Sequence, residues 1–180
     1  MKSKILTALV LCGVTTLASA FDGTITFTGE VTSNTCTISG NGGSNNFTVT
    51  LPRVSATALN TAPEHVAGRT AFNIALTACN PTGGNVRTYF EPGPTVNLGT
   101  GRLTTAVTNV EIGLLNADFS NIKIGAADGS TPGTTQNSQT VPISGTGTAT
   151  LPYFAEYNAL AGAAGTGPVN TSVRYTLIYP

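Results

Sequence analysis

Apolar residues in this chain come in short alternating bursts divided by clusters of turn residues, a pattern that constrains it to a β-sheet protein. Successive side chains of a strand point to opposite faces, so each alternating run marks one face that turns inward. The clearest runs are Ile25 and Phe27; Phe47, Val49 and Leu51; Phe72, Ile74 and Leu76; Val86, Thr88 and Phe90; Val110, Ile112 and Leu114; Ile122 and Ile124; Leu151 and Tyr153; and Val173, Tyr175, Leu177 and Tyr179. Between them, Gly40 to Gly43, Asn80 to Gly84, Ala127 to Ser130 and Gly162 to Pro168 read as loops. Helix signals are nearly absent, and strands at this spacing suggest a two-sheet sandwich. Val54 to Gly68 has no clean period, leaving open an irregular connection or a short helical turn.

The N-terminus reads as a secretory signal. Lys2 and Lys4 are followed by an apolar run from Ile5 to Leu17, and Ala18-Ser19-Ala20 is a small-x-small cleavage site. The run is too short for a membrane span, and no other segment reaches the roughly 20 apolar residues that a span needs. Cleavage after Ala20 gives an expected mature chain of Phe21 to Pro180, a length that suits one domain. It keeps Arg53, Arg69, Arg87, Arg102, Lys123 and Arg174 against the 8 carboxylates of the sequence, a sparse and scattered set with no basic patch for nucleic acid. Of 3 cysteines, Cys12 leaves with the signal. Cys36 and Cys79 remain as the only pair in a chain sent to an oxidising compartment, so a disulfide is expected. In the chain-entropy model a crosslink over so long a loop contributes roughly 4 kcal/mol. With no CxxC spacing and a single histidine, a metal site or a thiol nucleophile is not supported.

The inventory for catalysis is poor. His65, beside Glu64, has no partnered nucleophile and reads as a surface loop residue. Gly-x-Ser-x-Gly is absent, and Gly99-Thr100-Gly101-Arg102 lacks the Lys-Ser/Thr that a phosphate loop needs. The carboxylates are isolated along the chain, so local spacing shows neither a glycosidase-like pair nor a calcium loop. No enzyme activity and no cofactor are expected.

More informative is the segment after the signal. From Thr24 it alternates strictly, with Ile25, Phe27, Gly29 and Val31 on one face and Thr24, Thr26, Thr28 and Glu30 on the other. Two readings are open: an ordinary first strand of the sandwich, or a strand meant for another place. Gly29 favours the second, because it occupies the apolar face where a strand packed into its own core carries a side chain.

Four stretches in order resemble the subunits of type 1 and P fimbriae, the chaperone-usher pilins. Thr24 to Val31 followed by Cys36 resembles their N-terminal extension and first cysteine; Ala71 to Cys79 resembles the strand with the second cysteine; Leu151 to Tyr157 resembles the aromatic-rich run before the last strand. The C-terminus completes the pattern, with Tyr179 penultimate, Val173, Tyr175 and Leu177 alternating before it, and Gly167 upstream. Pro180 departs from it, since its missing N–H removes one hydrogen bond at the chain end.

The resemblance implies an incomplete immunoglobulin-like sandwich, with residues 1–20 as signal, 21–32 as an N-terminal donor-strand extension and 33–180 as the pilin domain. It implies a structural subunit of a bacterial surface fimbria, which polymerises by donor-strand complementation and supports cell adhesion. Ile25, Phe27 and Val31 would be donor plugs, with Gly29 where the neighbour's groove is shallow. Gly167, Val173, Tyr175, Leu177 and Tyr179 would form the acceptor edge, used in turn by a periplasmic chaperone and by neighbouring subunits at an outer-membrane usher. The alternative is a secreted β-sandwich that binds carbohydrate.

Overall fold

The computed structural model describes residues 23–60, 65–127 and 135–180. The expected signal, Glu64 and most of the Ala127 to Ser130 loop lie outside the described residues. Contacts divide the chain between Val31 and Thr32. Residues 23–31 have no secondary structure and are exposed throughout.

The second unit, Thr32–Pro180, is an all-β sandwich. Its elements are β1 (Thr35–Gly40), α1 (Ala56–Leu59), β2 (Val66–Asn80), β3 (Asn85–Phe90), β4 (Val96–Asn97), β5 (Arg102–Thr104), β6 (Val110–Leu115), β7 (Asn121–Ile122), β8 (Thr140–Pro142), β9 (Ala149–Ala159) and β10 (Tyr175–Ile178). One sheet runs β1-β2-β9-β6-β5-β4, with β7 beside β6, and the other runs β10-β3-β8. Every pairing of these strands is antiparallel.

The alternation sets the register of the two longest strands. Phe72, Ile74 and Leu76 of β2 lie opposite Tyr153, Leu151 and Ala149 of β9, all buried on the inner face. A slip of one residue would turn this whole set outward. Tyr153 joins the sheets, its ring 5.5 Å from Phe72 and edge-on to Phe90 of β3 at 5.4 Å.

Cys36 and Cys79 form the expected disulfide and tie β1 to β2. Gly40, at the end of β1, carries the ring of Phe47 directly on its backbone, so a Cβ there would collide with that ring.

One open reading is decided and two local expectations change. The short helical turn that the sequence allowed within Val54 to Gly68 is present: Ser55 caps the single turn α1 by accepting the Thr57 N–H at 3.2 Å, Leu59 buries against Val107 and Val110, and β2 has begun by Val66. Strand β6 turns in not one face but two, since all six of its residues are buried. It is interior to its sheet, and its outer face is covered by polar neighbours: Asn97 donates to Glu111 at 2.7 Å, and Asn158 closes on Gly113. Finally, Ile25 and Phe27, the run Phe47 to Leu51, Ile124 and Val173 lie outside any strand, because alternation reports a face and not a pairing partner.

Candidate functional site

The unpaired runs build the site. From Phe47 to Leu51 the chain keeps a strand-like alternation, with Phe47, Val49 and Leu51 half-buried against the core and Thr48 and Thr50 exposed. Val169, Thr171 and Val173, ahead of β10, alternate in the same way with exposed Asn170, Ser172 and Arg174. No backbone N–H of residues 47–54 or 166–173 is hydrogen-bonded to a described residue. The Ser172 carbonyl accepts the Thr95 hydroxyl at 2.6 Å, but the unpaired N–H groups of these half-buried segments demand partners.

Between these segments lies a groove of about 820 Å³. Its floor is the apolar core itself: Phe72 and Ile74 from β2, Phe90 from β3, Ile112 and Leu114 from β6, and Ala155 from β9. A second cavity, of about 470 Å³, continues it past Val169, which lines both. Val54, Leu59, Val107, Val110 and Tyr157 line this smaller end, with Arg53 and Gly167 at its rim. At the far end of the larger groove, the Tyr175 hydroxyl donates to the Asn45 carbonyl at 2.9 Å, with the ring 6.4 Å from Phe47.

The expected acceptor residues divide between two positions. Gly167, Val173 and Tyr175 line the cavities. Leu177 and Tyr179 lie beyond them, packed on the core, and the Tyr179 hydroxyl reaches Cys36 Sγ at 3.5 Å. Burial pushes the phenol pKa values of Tyr157, Tyr175 and Tyr179 up, because the apolar surroundings disfavour a phenolate. β10 pairs with β3 on one side, and its other edge is unpaired among the described residues.

The candidate donor residues have no packing of their own. Ile25, Phe27 and Val31 are 80%, 88% and 100% exposed, and Gly29 stands in open space. Exposed large apolar groups in a row are a hallmark of an interaction segment. His65 is an exposed residue just ahead of β2 whose carbonyl accepts from the Ala159 N–H.

Sequence reasoning did not foresee the opposite lip. The apolar alternation of Phe47, Val49 and Leu51 signalled a strand, but nothing local says that its edge is left open. It also missed the Arg69–Glu156 ion pair at 2.7 Å, in which the guanidinium lies 4.5 Å from the Phe119 ring centre.

These features define a β-sandwich that lacks one strand between two unpaired edges, with a free amphipathic segment at its N-terminus. The model of the type-1 fimbrial protein family matches residues 51–180. Major fimbrial subunit SMF-1 of Stenotrophomonas maltophilia (strain K279a) is 51% identical over 90% of this chain and 95% of its own. The F17 fimbrial protein of Escherichia coli is 41% identical over 89% and 88%. In fold, the chain is similar to the crystal structure of the P pilus rod subunit PapA, with a TM-score of 0.59 at 23% identity over 81% of this chain and 99% of that one. The chain belongs to the type-1 fimbrial protein family and is a structural subunit of cell-surface fimbriae.

Proposed function

We propose that the groove accepts the N-terminal segment of a neighbouring subunit as its missing strand, and that the fimbria grows by repeating this exchange. The observation that carries the reading is a pair of edges with unpaired backbone N–H groups flanking an apolar groove, in a chain whose own residues 23–31 are an exposed segment of alternating apolar residues. Adding a strand satisfies both edges with backbone hydrogen bonds, while side-chain pockets fix the register. Ile25, Phe27 and Val31 are the plugs, each contributing roughly 1.5 to 3 kcal/mol on burial.

Cavity sizes argue for a direction. A strand antiparallel to residues 165–175 carries Ile25 and Phe27 into the groove of about 820 Å³ and Val31 into the cavity of about 470 Å³. Gly29 then falls at the level of Val169, which lines both cavities. The reverse direction crowds two large plugs into the smaller cavity.

Residues 21–32 are thus the donor extension and 33–180 the acceptor domain, preceded by a signal at 1–20. A groove of this kind is an aggregation hazard before assembly, so a periplasmic chaperone fills it and an outer-membrane usher exchanges it. The contact is head-to-tail and does not close, so its product is a fibre. The subunit is structural and not catalytic, and the fibre supports adhesion. Gly29→Leu is expected to stall fibre growth while leaving the subunit folded, and deletion of residues 21–31 to give a subunit that accepts but does not donate. Fibres of normal length and growth rate from either variant alone, scored by electron microscopy, would refute the assignment.

A further inference from the structure

We propose that an ion pair between Glu30 of one subunit and Arg53 of the next steers the donated strand and fixes its direction, an inference that rests on the donor-strand reading above. Glu30 is the only charged residue between Gly23 and Asn34. It follows Gly29 on the polar face and adjoins Val31, the plug for the smaller cavity. Arg53 stands exposed at the rim of that cavity and has neither an ion pair nor a hydrogen bond among the described residues. The opposite rim there is Gly165, Thr166, Gly167 and Pro168, all uncharged, so among the described residues Arg53 is the one charge lining that cavity.

At the other end of the groove the charges of the described residues are already paired. Arg174 is already engaged by Glu91, its Nε 3.4 Å from the carboxylate, and Glu91 also accepts from the Thr176 hydroxyl at 2.5 Å. A strand lying in the reverse direction would bring Glu30 to this pair, whose charges already neutralise each other, so it would gain less there than beside an unpaired cation. In the antiparallel direction the neutral Thr24 and Thr26 face that end, and Glu30 meets the free guanidinium. Charge and cavity volume therefore select the same orientation by independent routes. Both groups are exposed, so the pair acts chiefly on encounter and register, and it weakens as salt screens it.

The test is a charge exchange in the full mature chain, with fibre growth followed by light scattering. Glu30→Arg and Arg53→Glu alone are each expected to slow growth about 1.5- to fivefold at low salt and to invert the salt dependence, since salt screens the like-charge repulsion that each creates. The double variant, in which every subunit carries both changes, is expected to recover the wild-type rate and its salt dependence. Thermal melts of the single variants check that the fold is intact. A double variant no faster than the slower single variant overturns the ion pair. Phe27→Asp separates the two levels of the argument: if it abolishes growth while the double variant fails to recover, the ion pair alone is wrong. If Phe27→Asp grows normally, the donor-strand reading falls with it.

Discussion

Gln136 shows how much one side chain can do where a strand is missing. It is 2% exposed, its side-chain oxygen accepts the Phe90 N–H at 2.6 Å, and its amide donates to the Phe90 carbonyl at 2.8 Å. The amide thus imitates one residue of a paired strand at the end of β3, beyond the point where β8 stops pairing. Replacing it with leucine keeps the bulk and removes both bonds. The Phe90 carbonyl retains the Gly125 N–H at 3.2 Å, so the loss falls on the buried Phe90 N–H. Gln136→Leu is expected to destabilise the fold by about 1 to 3 kcal/mol, read as a lower urea midpoint with an unchanged slope. No sequence pattern announces this role, because a glutamine in a loop looks alike whether it is solvated or buried against a distant backbone.

Among the elements, the β1–β2 pair is the one fixed covalently. The bridge spans 43 residues of sequence and holds β1 at the edge of its sheet, while the Cys79 N–H donates to the Gly147 carbonyl at 3.0 Å. Gly147 has φ 72°, which glycine adopts at no steric cost. Replacing Cys36 and Cys79 together with alanine is expected to cost about 2 to 5 kcal/mol, measured by urea unfolding of both forms under the same oxidising conditions. This element was legible from composition, since the two cysteines beyond the expected signal have one way to pair with each other. β2, β3, β9 and β10 were legible from alternation. Residues 45–54 were legible only by half: the pattern gave the inward face of Phe47, Val49 and Leu51, but the absence of a ladder is a tertiary fact. The two buried faces of β6 escaped for a similar reason, because Glu111 reads as a solvent-facing residue until Asn97 is folded against it. Arg69 and Glu156 are 87 residues apart, beyond any local spacing rule.

At the scale of the molecule, groove and core are the same object. Phe72, Ile74, Leu103, Ile112, Leu114 and Ala155 belong to the main apolar cluster and also line the groove, so whatever fills the groove finishes the core. A subunit with an empty groove therefore leaves its own core unfinished, and stability and assembly become one quantity. A ligand that binds only the folded state raises stability by mass action, by about 2.7 kcal/mol at a hundred times its Kd. For a domain of this size that corresponds to a rise in Tm of roughly 5 to 10 °C. A synthetic peptide of residues 23–34, added to the chain lacking residues 21–31, is expected to give such a rise and to abolish binding of an apolar dye. The same peptide with Phe27→Asp should do neither, since a carboxylate would be driven into an apolar pocket. An unchanged Tm with the native peptide at saturating concentration would mean that the groove is completed by a strand of different chemistry, and residues 23–31 would lose their role as donor.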